Sequence, residues 1–220
     1  MIEGKDLFDF SHSLAGERLQ HAETPWEALA QISAWICEIG AALDPAEYEE
    51  RSPQVWVHRS AHVAPTAYLG APCIVGPETE VRHCAFVRGS ALIGAGCVVG
   101  NSTEIKNAIL FDHVQVPHYN YIGDSILGYG AHLGAGAVTS NVRSDKRPVV
   151  VHGLAGDVET GRKKVGALVG DGVEIGCNSV LNPGTVIGRR TSVYPLTCVR
   201  GEIPADCIVK NDMTIVTREE

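Results

Sequence analysis

The 220-residue chain carries 18 basic and 26 acidic side chains for a formal charge of −8, with a pI near 5.6. That is room for one main domain with an appendage and a sizeable core. The acidic balance and the lack of a long basic run speak against nucleic acid or an anionic membrane as partner, so any anion must be held locally. The seven cysteines (Cys37, Cys73, Cys84, Cys97, Cys177, Cys198 and Cys207) form no C-x-x-C pair. They read as free thiols in a reducing compartment rather than a zinc site. No signal-like run opens the sequence and no segment approaches 18 apolar residues, so a cytoplasmic protein is expected.

Residues 1–54 read as a helical segment and connector. Thr24-Pro25-Trp26-Glu27 has a capping residue, proline at the first helical position and glutamate three residues after the cap, the pattern of a capping box. The helix is predicted to run to about Ile39, ending before Gly40. Leu29, Ile32, Ile36 and Ile39 form one apolar stripe. Residues 41–54 read as a connector.

From Val57 the period becomes six. Val57, Val63, Leu69, Val75, Val81, Val87, Ile93, Val99, Ile105 and Phe111 are ten consecutive apolar residues at that spacing. Four residues after each anchor the side chain is mostly small, as at Ala61, Ala67, Cys73, Thr79, Ala85, Ala91, Cys97 and Thr103. The pattern stumbles between Gln115 and Ile122, resumes at Leu127 and Leu133, and breaks again over about 140–165. It then returns at Val169, Ile175, Leu181, Ile187, Val193 and Val199. A β-sandwich is the competing architecture, but its strands do not hold one six-residue phase across turns. The solenoid is predicted over 55–210, with 140–165 an inserted loop and 211–220 a tail.

If three hexads make one coil, residues 18 apart stack on one edge. Arg88 and Lys106 are 18 apart, each directly after an inward anchor. Two stacked cations repel unless an anion lies between them, and a phosphate or carboxylate suits the pair. Two solvated surface charges are the plain alternative. A second basic cluster, Arg143, Lys146, Arg147, Arg162, Lys163 and Lys164, lies in the inserted loop, the usual place for function on a solenoid and also an ordinary place for solvated charge.

Hexads such as Ile93-Gly94-Ala95-Gly96-Cys97 and Ile187-Gly188 resemble the hexapeptide-repeat acyltransferases. That resemblance implies an all-β, left-handed parallel β-helix of triangular section, usually a homotrimer. Asn101-Ser-Thr-Glu-Ile-Lys106, Val116-Pro-His118-Tyr-Asn-Tyr121-Ile-Gly-Asp124, Leu133-Gly-Ala-Gly136, Thr139-Ser-Asn141 and Gly161-Arg-Lys-Lys-Val-Gly166 resemble the acetyltransferase half of bifunctional N-acetylglucosamine-1-phosphate uridylyltransferase and of archaeal sugar-1-phosphate nucleotidylyltransferases. The similarity runs from about Pro25 to Lys210.

The resemblance implies an acyl-CoA-dependent N-acyltransferase acting on the amine of an amino-sugar phosphate, with acetyl-CoA as donor and no catalytic metal. His118 corresponds to the general base, a role suited to histidine near pH 7. Asn141 lies near the reacting groups. Arg88, Lys106, Tyr121, Glu104 and His132 fall in the substrate-binding segments. Ala135, Cys177, Pro195 and Lys210 fall on the coenzyme side. By itself Tyr121 reads equally as a packing residue, and Asn141 as a turn residue.

Four departures touch recognition: His132 replaces an asparagine, Val142 a tyrosine, Cys177 a serine and Pro195 an alanine. The nucleotidyltransferase signature G-x-G-[ST]-x-[ML] is absent, so no pyrophosphorylase activity is expected of this chain, and a separate nucleotidyltransferase partner is conceivable. Two rival functions stand beside the enzyme reading. One is a non-catalytic sugar-phosphate-binding or partner-binding subunit. The other is a γ-type carbonic anhydrase-like metalloenzyme, suggested by the spacing of His113 and His118, although His83 lies 30 residues before His113 and so on a different edge.

Overall fold

In the computed structural model, which describes residues 2–218, the chain winds as a left-handed parallel β-helix of about nine turns. Three columns of inward side chains define its faces. On the first, Val63, Val81, Val99 and Val116 stack in register, followed by Leu133, Ile175, Val193 and Val209. On the second the column is Leu69, Val87, Ile105, Ile122, Thr139, Leu181 and Val199. On the third it is Val57, Val75, Ile93, Leu110, Leu127, Val169, Ile187 and Ile203. Nearly all of these are buried, which accounts for the strict six-residue recurrence of branched apolar residues.

The small inward positions sit at the corners. At three of the threonines the hydroxyl donates to a carbonyl of the next coil: Thr79 Oγ1 to Gly94 O at 2.7 Å, Thr103 to Val116 O at 2.9 Å and Thr191 to Pro204 O at 2.7 Å; Thr185 and Thr197 donate to the carbonyls three residues before them, Asn182 O at 2.8 Å and Tyr194 O at 2.6 Å. A buried hydroxyl without such a partner would be costly.

One anchor differs from expectation. Leu110, not Phe111, stacks on Ile93. The two coils that follow are one residue short, so Ile105 pairs with Ile122 and Leu110 with Leu127 at a spacing of 17. The stumble after Gln115 is thus a shortened coil and not a break in the ladder. Phe111 is buried at a corner instead, its ring 5.2 Å from that of Phe8 in the N-terminal segment. The interruption over 140–165 is a true insertion. Leu127 pairs with Val169, 42 residues on. The inserted chain includes an antiparallel hairpin, Val150–Gly153 with Gly156–Glu159.

The N-terminal segment covers the third face. Outward on that face stand Trp56, Ile74, Leu92, Ile109, Ile126, Leu168 and Val186, in register. All but Trp56 are buried; helix Ile32–Ala42 packs on the strands that carry Ile74, Leu92 and Ile109, with Ile32, Ile36 and Ile39 inward, while residues Pro25–Ala30 lie against the strand of Ile126 and strand Val150–Gly153 of the inserted chain against that of Val186. Burial of each such side chain contributes about 1.5–3 kcal/mol.

The predicted helix is in fact two pieces: Pro25–Ala30 is 3-10, and the α-helix runs through Gly40 to Ala42. Gly40 lies against the Trp56 ring, where a Cβ would collide. Only half of the capping box forms: Glu27 accepts from Thr24 N at 3.4 Å, while the buried Thr24 hydroxyl has no partner. The connector holds strand Tyr48–Ser52, antiparallel to Val55–His58. In the tail, Ile215–Thr217 pairs antiparallel with Cys207–Val209.

Candidate functional site

The edge between the first and second faces carries one continuous column. Backbone N–H groups donate from each coil to the one before: Tyr119 to Asn101 O at 2.9 Å, Gly136 to His118 O at 3.0 Å, Asn178 to Ala135 O at 2.8 Å and Leu196 to Cys177 O at 2.9 Å. His118, Ala135, Cys177 and Pro195 therefore stand one above the other at about 4.8 Å per step. His118, Cys177 and Pro195 are exposed and Ala135 is partly so. Lys210 is off this column: Val193 pairs with Val209, so the position below Pro195 belongs to Asn211, whose side-chain amide donates to Pro195 O. Lys210 is exposed beside it. The last coil is shorter than those above it, with a register offset of 16 rather than 18.

The corner after His118 is fixed by Asn120, a residue the sequence did not mark. Its side chain is buried; Oδ1 accepts from His118 N at 3.1 Å, and Nδ2 donates to Gly134 O at 2.8 Å and Ala137 O at 3.1 Å. Asn120 thereby ties the backbone of His118 to the coil that carries Ala135.

Three residues beyond His118, Tyr121 begins the second-face strand that leads to the other edge. There Arg88 and Lys106 stack as expected, since Val87 pairs with Ile105. Each already has a carboxylate. Arg88 Nη1 lies 2.8 Å from Glu104 Oε1, and Lys106 Nζ 2.9 Å from Asp124 Oδ2. The repulsion between the stacked cations is relieved by the protein's own acids, so it does not by itself demand a bound anion.

Asp124 is the hub. It is 5% exposed and accepts from Lys106 Nζ, from Asn107 Nδ2 at 2.9 Å and from Asn141 Nδ2. Asn141 also donates to the Tyr121 hydroxyl at 3.2 Å. Asn107 and Asp124 turn the edge with φ of 49° and 48°, a conformation Asn and Asp tolerate. The signal for the hub was present as Asn107, Asp124 and Asn141 at successive spacings of 17, legible only once the coil is known to be shortened.

His132 lies outward on the first face, in register with Gln115 and Glu174, and its Nδ1 is 2.7 Å from Glu174 Oε2. In the inserted loop, Arg143 pairs with Asp145 at 2.6 Å. Lys146, Arg147, Lys163 and Lys164 are exposed. Arg143, Ser140, Ser144, Asn182 and Arg200 line a cleft of about 280 Å³ next to Asn141.

His113 lies in the turn two residues before strand Gln115–His118 and His118 at the strand's end, too far apart within one chain to share one ion at about 3.3 Å per residue. His113 instead packs edge-on to Tyr129 at 5.5 Å. Among the described residues, no group of three or more His, Cys, Asp or Glu side chains could hold a metal ion. No helix among them is long and apolar enough to cross a membrane.

A family model described as the GMPPB C-terminal domain matches residues 72–162. The bifunctional protein GlmU of Methanococcus maripaludis is 31% identical over 115 residues, which is 52% of this chain and 28% of that protein. The bifunctional sugar-1-phosphate nucleotidylyltransferase/acetyltransferase of Sulfurisphaera tokodaii is 32% identical over 98 residues, 44% of this chain and 24% of that protein. The match thus spans about a quarter of those relatives. Among solved structures, the acetyltransferase domain of PglB from Neisseria gonorrhoeae in complex with acetyl coenzyme A aligns with a TM-score of 0.35 at 17% identity, covering 72% of this chain and 55% of that one. In its central coils this chain is a hexapeptide-repeat β-helix similar in sequence to the bifunctional sugar-1-phosphate nucleotidylyltransferase/acetyltransferases.

Proposed function

We propose that the protein is an acyl-CoA-dependent N-acyltransferase that acetylates the amine of an amino-sugar phosphate of the glucosamine-1-phosphate or galactosamine-1-phosphate type. The observation that carries this reading is the placement of His118. It stands on the same edge column as Ala135, Cys177 and Pro195, and three residues from Tyr121, which hydrogen-bonds Asn141 on the way to Lys106 and Arg88.

Donor and acceptor then meet at His118 from two directions. Gly134, Ala135 and Gly136 present almost no side chain along the column, leaving a flat edge for the slender thioester arm of acetyl-CoA. A Cβ on Gly136 would strike Asn178 Oδ1, and one on Gly134 the Cys177 backbone. On the acceptor side, Arg88 is about half exposed and Lys106 about a quarter, so both keep donors for a phosphate after pairing with Glu104 and Asp124. Tyr121 would contact the sugar ring between them; His132 lies on the first face, around the edge from Tyr121.

In the reaction the amine nitrogen attacks the thioester carbonyl. The C–N bond forms, the amine proton passes to His118, and the C–S bond breaks to release the coenzyme as thiolate, which takes up a proton. A backbone N–H or the Asn141 amide near the carbonyl oxygen would stabilise the developing oxyanion. The same reading makes the molecule a homotrimer with its sites between neighbouring prisms, so that a second prism closes the open second face.

Thiol release from acetyl-CoA in the presence of glucosamine-1-phosphate or galactosamine-1-phosphate tests the proposal. Acceptor-dependent release is expected. Absence of release with every amino-sugar phosphate, together with no binding of acetyl-CoA, contradicts it.

A further inference from the structure

Away from the edges that carry the proposed reaction, the inserted chain and the N-terminal segment enclose a second cavity. The hairpin Val150–Gly153 with Gly156–Glu159 lies against the end of the third face, and its tip comes beside Ile2 and residues 23–27. The space between them is about 600 Å³, the size of a small-molecule site. Ile2, Trp26, Leu154 and Val158 give it an apolar lining. Around them stand five carboxylates, Glu23, Glu27, Asp157, Glu159 and Glu202, and no Lys, Arg or His among the described residues lines it.

Three of these acids are held by the protein. Glu27 accepts from Thr24 N at 3.4 Å, Asp157 Oδ1 lies 2.8 Å from His152 Nδ1, and Glu202 Oε2 accepts from Leu154 N at 2.7 Å. Glu23 and Glu159 are exposed and have no side-chain partner among the described residues. A separate feature marks the same place. Thr24 lines the cavity, is 8% exposed, and its hydroxyl has no hydrogen-bond partner. A buried hydroxyl left in that state is rare and costly, and a ligand N–H can supply what it lacks.

The chemistry of the lining narrows the occupant. Five carboxylates exclude an anion. Among the described residues no three acids converge as a metal site requires, so a compact cation would meet them singly. Separated carboxylates over an apolar lining match a ligand whose ammonium groups are separated by methylenes. We propose that the cavity binds a linear aliphatic polyamine, with ammonium groups on Glu23 and Glu159, methylenes against Ile2, Leu154 and Val158, and one N–H on the Thr24 hydroxyl. The site is independent of acyl transfer at His118.

Calorimetric titration of the protein at physiological ionic strength with spermidine and with hexamminecobalt(III) tests this. Both cations are trivalent, but only spermidine has methylenes to bury. Spermidine is expected to bind once per chain and about tenfold or more tighter than hexamminecobalt(III), since burial of two methylenes accounts for about that factor. Glu23→Gln and Glu159→Gln should each weaken spermidine by about two- to fivefold. Glu78→Gln, at an exposed acid elsewhere on the solenoid, should not. These three side chains are exposed, so folding is retained. Thr24→Val keeps the shape and removes the hydroxyl, and should weaken binding without lowering the thermal midpoint. Equal affinities for the two trivalent cations, or an equal loss from Glu78→Gln, would reduce the effect to general attraction by an acidic surface and overturn the proposal. So would the absence of spermidine binding at millimolar concentration, or Glu23→Gln, Glu159→Gln and Thr24→Val variants that all bind as the wild type does.

Discussion

Lys106 Nζ lies 2.9 Å from Asp124 Oδ2, and that carboxylate, almost fully buried, also gathers the side-chain amides of Asn107 and Asn141. Asp124→Ala would strand a partly buried ammonium and two amide donors. Removing one partner of such a pair costs about 3 kcal/mol. Urea denaturation should show that loss, and Asp124→Asn, which can still accept one bond, should lose less. The proposed acceptor site adds a second readout: Asp124→Asn should raise the KM for an amino-sugar phosphate, because Lys106 and Asn141 are no longer held.

Arg88 and Glu104 test the phosphate subsite in opposite senses. Arg88→Ala is expected to raise the acceptor KM several-fold with kcat little changed. Glu104→Gln releases the guanidinium from its partner and should lower that KM. Steady-state kinetics on both variants check the pair of signs.

Asn120 anchors the turn behind His118 through three hydrogen bonds. Asn120→Ala leaves the carbonyls of Gly134 and Ala137 without that donor in a buried place and should cost about 1–3 kcal/mol of stability. Because the His118 backbone is released as well, kcat should fall more than KM rises.

The thiols divide by burial. Burial pushes Cys73 and Cys97 up to about 12, so they remain protonated at pH 8 and should react with a thiol reagent only after unfolding. Cys84, Cys177 and Cys198 are exposed and should react in the native protein. If the edge column carries the acyl donor, acetyl-CoA should slow labelling of Cys177 and leave Cys84 unaffected. Mass spectrometry of the labelled peptides reads both.

The inward ladder was legible in the sequence because each coil must bury a branched apolar residue at every face, which writes a six-residue period into the chain. Phe111 was misplaced because a coil can drop one residue at a corner without disturbing the ladder on either side. Strand Tyr48–Ser52 was unreadable: four of its five residues are exposed, so no alternation marks it. The stacking of Arg88 on Lys106 followed from the period alone. Their partners Glu104 and Asp124 did not, because side-chain pairing across coils depends on which way each corner turns. Asn120 and Asp124 were hidden for a related reason: a buried polar hub is assembled from three coils and has no local signature. The apolar stripe Leu29–Ile39 announced a helix that packs on something, but the matching ladder from Ile74 to Val186 became visible only when the outward positions of the third face were aligned.

The central claim is that His118 takes the amine proton during acyl transfer. Initial rates of thiol release from acetyl-CoA with an amino-sugar phosphate, measured for wild type and His118→Ala at saturating acceptor, test it most directly. Loss of a general base predicts a kcat lower by about 10²–10⁴-fold with acceptor affinity nearly unchanged. A His118→Ala variant that keeps wild-type kcat, or one whose only defect is weaker acceptor binding, would contradict the claim.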